Sequence, residues 1–389
     1  MGAGYGRPVR RLIALAVPLL VVLAACGGDE PDAAASPPTT VAAPADPGDD
    51  AADEEPAAGE DDAEASGSAD DDSEPEARAI DAVVAPEAST VAGLLALDRP
   101  VVAAHAGGDF DGPHSTMYAF TEAALAGVDV LEMDVMLTAD DVLVVHHDDT
   151  VDRTTEASGR VRDLTYAELA ALDNAHWFVP GTWSDQGRPD ADYQLRGVRT
   201  GDRPPPPGYG PDDFRIETFR AVAEAVPDHV LDVEIKVQQG DDDADDLERA
   251  FAAARTLAAE IDELGRAESV IVVSFSDAVL TELRAAAPGV ATSPGTDALF
   301  AWYLGDPSGL APSDLVFQAP PVFDGIEVLT AETVERARAD GFAIWAWMDD
   351  TSTQENAAFY QELVERGVDG LIVSRPAEGV AALGGPWSG

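Results

Sequence analysis

The chain has 389 residues, enough for one large α/β domain with tails or for two small domains. Its formal net charge of −51, from 74 acidic and 23 basic side chains, repels polyanions, so nucleic-acid binding is excluded as a leading reading, and divalent cations are concentrated near it. The single cysteine, Cys26, rules out an internal disulfide framework, and Lys236 is the one lysine in a chain that otherwise uses arginine.

Residues 1–25 read as an address rather than a fold. Arg7, Arg10 and Arg11 precede the apolar run Leu12 to Ala24, which is too short to span a bilayer as a permanent helix. The run ends in Leu23-Ala24-Ala25-Cys26, the order of a bacterial lipobox, in which the cysteine is lipidated and becomes the new N-terminus. The expectation is a lipoprotein signal peptide and an extracytoplasmic protein held at the membrane through Cys26. Residues 26–91 are Ala, Pro, Asp, Glu, Gly and Ser with runs such as Asp70-Asp71-Asp72. Such a segment buries too little apolar surface to offset ordering entropy, and it reads as a disordered, self-repelling acidic linker.

From residue 92 to residue 389 short β-branched runs alternate with helical patterns, which predicts a parallel α/β domain of the TIM-like (β/α)8 barrel class. The predicted strands are Val101–His105, Val128–Asp134, Val142–His147, Val230–Lys236, Val270–Phe275, Val290–Ser293, Phe342–Met348 and Gly370–Ser374. Phe317–Pro320 is a ninth candidate, one too many for a closed barrel. Helices are predicted over Thr116–Ala126, Glu217–Val226, Asp246–Leu264, Asp277–Ala287, Ala331–Asp340 and Thr353–Arg366. The connection between the second and third runs is too short for a helix, so the barrel is irregular there. Residues 174–213, with Trp177, Phe178, Trp183 and Tyr209, form a long insertion that reads either as a lid facing the substrate or as a packed surface loop.

Barrel active sites gather at the carboxyl ends of the strands, and these ends carry polar residues. The first run ends in His105; the second in Glu132 and Asp134, whose i, i+2 spacing puts both on one face; the third in His146 and His147; the fourth in Glu234 and Lys236, again at i, i+2. Three carboxylates and two histidines on one rim predict a metal and acid/base site. A structural ion-pair network is the plainer alternative for the carboxylates. Oxygen ligands suit Mg²⁺ or Ca²⁺, and histidine titrates near neutral pH as a base and acid must.

The same residues, in order, resemble the glycerophosphodiester phosphodiesterase family. They are His105-Ala106-Gly107, Pro113-His114-Ser115-Thr116, Glu132-Met133-Asp134, His147-Asp148 followed by Arg153-Thr154-Thr155, and Glu234-Ile235-Lys236. The likeness continues through Ser274-Phe275, the strand Trp345 to Asp349, and Gly367-Val368-Asp369-Gly370 to Arg375-Pro376. It implies hydrolysis of glycerophosphodiesters to sn-glycerol 3-phosphate and an alcohol. It further implies His105 and His147 as the catalytic pair, Glu132, Asp134 and Glu234 as metal ligands, and Lys236 and Trp347 as substrate contacts. The chain departs from the family pattern twice. Ala106 replaces an arginine, and His114-Ser115 replaces Glu-Asn, so His114 becomes a candidate metal ligand that would shift the preference toward Mn²⁺ or Zn²⁺. Two rival readings are a lysophospholipase D acting on membrane lysolipids and a surface lipoprotein that binds phosphoesters without cleaving them. Metal-restored turnover separates the last from the first two.

Overall fold

Eight parallel strands alternate with helices in the computed structural model, which describes residues 77–238 and 243–386. The strands are β1 (Val101–Ala104), β2 (Val130–Leu137), β3 (Val230–Ile235), β4 (Val270–Val273), β5 (Ala291–Thr292), β6 (Val316–Ala319), β7 (Ala343–Trp347) and β8 (Gly370–Val373). The helices that follow them are α1 (Met117–Ala126), α2 (Phe219–Ala225), α3 (Asp243–Glu263), α4 (Asp277–Ala286), α5 (Thr296–Tyr303), α6 (Ala331–Asp340), α7 (Ala357–Glu365) and α8 (Pro376–Ala382). Thr116, Thr218, Ser276 and Thr330 cap α1, α2, α4 and α6 through side-chain oxygens, which satisfies one free N–H at each helix start.

Hydrogen-bonded neighbours run β5-β4-β3-β2-β1-β8-β7-β6. A parallel bridge between Thr292 and Asp314, the latter just before β6, nearly closes the ring. Buried Asp314 binds Arg284 and the Thr292 hydroxyl at this seam.

Alternate residues of the strands face inward, as the period of two requires. Val101, Ala103, Val130, Val230, Ile271, Val316, Trp345 and Ile372 fill the barrel interior, and Ala88, Val91 and Leu94 plug its base. Gly370 is required beside this layer, because a β-carbon there would lie 2.5 Å from Trp345 Cδ1. The opposite strand faces, with residues such as Leu131, Met133, Leu231, Val233 and Leu371, pack against the helices.

Two expectations are corrected. The run Val142–His147 is not a barrel strand: Leu143–Val145 folds back antiparallel on β2, pairing Val145 with Val135 and Leu143 with Leu137. Five residues between the two are enough for a hairpin and too few for a parallel crossover. The surplus run at Phe317 is the true barrel strand, β6. Residues 77–91, read from sequence as linker, hold defined contacts instead. Arg78 pairs with Asp213 at 2.6 Å, Ala79 N donates to Gly208 O at 2.9 Å, and the apolar side chains of Ala88 and Val91 enter the barrel base. The signal peptide, with Cys26, and the linker up to residue 76 lie outside the described residues. Among the described residues no helix is long and apolar enough to cross a membrane.

Candidate active site

The inward positions at the carboxyl ends of β1, β2 and β3 bring the polar residues together. Asp134 stands opposite Glu234 in the β2–β3 register, and Glu132 opposite Asp232 one layer below. His105 opens the turn after β1. Its neighbour Ala106 is held in the left-handed region at φ 46°, and its N–H donates to Glu132 Oε2 at 2.7 Å. Such strain in a non-glycine residue persists where surrounding bonds over-determine it. The hairpin after β2 carries His146 and His147 back alongside Asp134, whose carbonyl accepts from His146 N at 3.0 Å.

The two expected catalytic imidazoles meet, with ring centroids 5.8 Å apart and planes at 74°. Each has a carboxylate behind Nδ1: Asp109 Oδ1 lies 3.3 Å from His105, and Asp148 Oδ1 lies 2.8 Å from His147. His147 Nδ1 is hydrogen-bonded to Asp148 and His105 Nδ1 faces Asp109 at ion-pair distance, so Nε2 is the nitrogen of each ring turned away from these carboxylates. Burial pulls the pKa of His105 down, but the charges of Asp109, Glu132 and Asp134 outweigh it and hold the imidazole well above its ordinary range. Burial works against the Asp148 carboxylate too, yet hydrogen bonds from His147 and Arg153 drive it far below the usual carboxylate range.

Lys236 Nζ lies 2.8 Å from Asp134 Oδ1 and 3.0 Å from Glu234 Oε2. Its pKa is raised despite burial, because those two charges face it. Burial and repulsion from Asp134 raise Glu132 well above the carboxylate range; burial likewise raises Glu234, and pushes Asp232 up to about 7 although Gln318 Nε2 donates to both its oxygens at 2.7 and 2.9 Å. Of the four inward carboxylates, Asp134 and Glu234 share the one ammonium. Oδ1 of buried Asp134 faces Lys236, while its Oδ2 accepts no hydrogen bond and is the oxygen with room for a further cation. With Lys236 lodged between the carboxylates, no three His, Cys, Asp or Glu side chains among the described residues stand in a metal-holding arrangement.

His114 is buried near the pair, 6.4 Å from the ring of His147. Its Nε2 accepts from Arg153 Nη2 at 3.0 Å, since a guanidinium only donates, and its Nδ1 lies 3.1 Å from Ser115 Oγ. Burial first, then the Arg153 charge, holds it well below its ordinary pKa. Trp347 is half-buried at the end of β7, where it meets the exposed ring of Phe275 edge to face. His146 points its Nε2 at Thr150 O, and His229 is buried outside the site.

Sequence reasoning missed several partners. Asp109 follows His105 by four residues, and Asp232 precedes Glu234 by two, both spacings that a search for second carboxylates could have found. Arg153 enters the sequence reading only within the family motif, and Trp183 only as one aromatic of the insertion; the fold puts the Trp183 ring 5.4 Å from that of His147 and 6.3 Å from that of His105. Trp177 packs instead on Tyr193 and Arg196, and its Nε1 donates to Thr155 O at 2.7 Å.

The fold is a nearly closed parallel (β/α)8 barrel with paired imidazoles and convergent carboxylates at its carboxyl mouth, the end where active sites of such barrels gather. The model of the Glycerophosphoryl diester phosphodiesterase family matches residues 105–378. A glycerophosphodiester phosphodiesterase from Caldanaerobacter subterraneus is 27% identical over 278 residues, covering 72% of this chain and 95% of the relative. Among solved structures, a glycerophosphodiester phosphodiesterase from Agrobacterium tumefaciens superposes with a TM-score of 0.52 at 20% identity, covering 72% of this chain and 99% of that one. A phosphodiesterase from Oleispira antarctica, in complex with the product sn-glycerol-3-phosphate, gives a TM-score of 0.53 at 20% identity, with 74% and 98% covered. The chain belongs to the glycerophosphoryl diester phosphodiesterase family and is a phosphoric diester hydrolase.

Proposed function

We propose that the chain hydrolyses glycerophosphodiesters to sn-glycerol 3-phosphate and an alcohol, with His105 as the first general acid and His147 as the first general base. The observation that carries this reading is the imidazole pair itself, 5.8 Å between centroids with a carboxylate behind each Nδ1. His147, its Nδ1–H donated to Asp148, takes the proton of a glycerol hydroxyl through Nε2 as that oxygen bonds to phosphorus. The P–O bond to the alcohol breaks, and His105, kept protonated by its carboxylate neighbours, delivers a proton to the departing alkoxide. Water then opens the cyclic phosphate with the two roles exchanged, returning both rings to their starting states.

Glu132, Asp134 and Glu234 are the residues that would hold a divalent cation, Mg²⁺ or Ca²⁺ by their oxygen chemistry; the buried Oδ2 of Asp134, which accepts no hydrogen bond, is the observation that supports them. When bound, such an ion would polarise a phosphoryl oxygen and ease ionisation of the attacking hydroxyl. His114 joins that set, with a shift toward Mn²⁺ or Zn²⁺, only by giving up Arg153. Lys236 and Trp347 complete the substrate contacts in this reading. The order Leu23 to Cys26 supports a lipid anchor at Cys26 and an extracytoplasmic location.

The test compares glycerophosphocholine with a glycerol phosphodiester bearing an activated aryl leaving group, before and after chelation and metal addition. His147→Ala should lose about 10²–10⁴-fold on both substrates. His105→Ala should lose as much on glycerophosphocholine and far less on the aryl ester, which needs no acid. Equal losses on both substrates in the two variants would remove the assigned roles, and full activity in both would remove the pair.

A second reading, lysophospholipid as substrate, is favoured by the exposed Phe275 beside Trp347 at the mouth. It is separated by comparing kcat/KM for lysophosphatidylcholine and glycerophosphocholine.

A further inference from the structure

A phosphodiester is an anion, and most charges at this mouth oppose it. Glu132, Asp134, Asp232 and Glu234 line the interior, while Asp109 and Asp148 back the histidines. Lys236 is shared between Asp134 and Glu234, so much of its charge is already answered. Ala106, in the turn after His105, brings no charge.

Arg153 is differently placed. Its Nε and Nη2 grip Asp148 at 2.5 and 2.9 Å, and Nη2 also serves His114. Its third nitrogen, Nη1, is buried and has no hydrogen-bond acceptor. The guanidinium lies 4.6 Å over the ring of Trp183, the same ring that packs against His147 and His105. Trp183 Nε1 is likewise buried without an acceptor. Buried donors with nothing to donate to are costly, and native proteins keep few of them outside working sites. Here two such donors belong to side chains in contact with each other, beside the catalytic pair.

We propose that Arg153 Nη1 and Trp183 Nε1 form a clamp for the non-bridging oxygens of the substrate phosphate. The clamp rests on the reading under Proposed function and adds two binding residues to it. Arginine suits the task because its charge is permanent and its plane is already fixed by the fork on Asp148, so little freedom is lost on binding. Asp148 then serves both halves of the site, orienting His147 on one oxygen and aiming the guanidinium with both. Trp183 closes over the imidazoles while offering its N–H, which pairs phosphate capture with exclusion of water.

The test is calorimetric binding of sn-glycerol 3-phosphate at fixed Mg²⁺, together with steady-state turnover of glycerophosphocholine. Trp183→Phe keeps the ring and removes the N–H; it should weaken binding about tenfold, as loss of a hydrogen bond to a charged group does, and raise KM with kcat largely kept. Arg153→Lys keeps a charge and removes Nη1; it should weaken binding at least as much and also lower kcat, since Asp148 loses its fork. Equilibrium binding involves no proton transfer, so a loss there is separate from any misorientation of His147. Affinity within twofold of the wild type in either variant overturns the clamp and leaves the hydrolase reading intact. A wild type that neither binds nor turns over overturns both.

Discussion

Gly108 turns the chain at φ 95°, and a β-carbon there would sit 2.4 Å from Pro376 Cγ. The ring cannot yield without moving the start of α8, and the backbone conformation itself disfavours a side chain. Gly108→Ala should cost on the order of 2 kcal/mol in urea unfolding. It should also lower turnover by shifting His105, three residues upstream. At this scale the residues legible in the sequence were those bound to strand periodicity. Glu132 with Asp134, and Glu234 with Lys236, share a face because side chains alternate, and that holds before any tertiary contact forms. Arg153 is legible only as part of a motif with no role attached, and Trp183 only as an aromatic of a long, aperiodic insertion that reads equally as lid or packed loop, because no local pattern encodes the contacts they make. The same holds for the Gln318–Asp232 pair, made between strands far apart in the chain.

Among the elements, the weakest junction is the seam between β5 and β6. β5 is two residues long and meets the segment before β6 through a single bridge, whereas β2 and β3 share six paired positions. Arg284, from α4, binds Asp314 there, and the Asp314 side chain is fully buried. Removing the arginine strands that carboxylate, so Arg284→Ala should cost about 3 kcal/mol, read from the urea midpoint. Arg284→Ala combined with Asp314→Asn should recover part of the loss, because no charge is left alone. The element order was largely visible in the β-branched runs, yet the pairing was not. Val142–His147 is the more β-branched of the two competing runs, Phe317–Pro320 having no β-branched residue, and only the length of the connection before the first betrays a hairpin. Helices α5 and α8 also escaped; Pro376 at the first position of α8 was the available signal.

For the whole domain, one buried carboxyl outside the reaction contributes a separable share of how stability changes with pH. Glu355 accepts from Ser374 N at 3.0 Å and from the Tyr360 hydroxyl, and burial lifts it from its ordinary value near 4.5 up to about 7. The folded state thus binds a proton that the unfolded chain has released between those values. Its contribution is fully present below about pH 4.5 and lost as pH rises through 7, a difference of about 3 kcal/mol at 1.36 kcal/mol per unit. Thermal midpoints should fall from pH 5 to pH 8, and Glu355→Gln should flatten that slope; an unchanged slope would exonerate this carboxyl.

The seam has a topological meaning as well. β1 pairs with β8 through four residues and β7 with β6 through four, so the last three barrel strands are zipped to the first five at the chain's two ends, not at its middle. Residues 304–309, exposed between α5 and β6, lie where the chain crosses the lone bridge. A backbone break there would sever no ladder. The barrel is in that sense a split ring, laddered between its first and last strands and fastened at the seam by one bridge and the contacts of a single buried carboxylate.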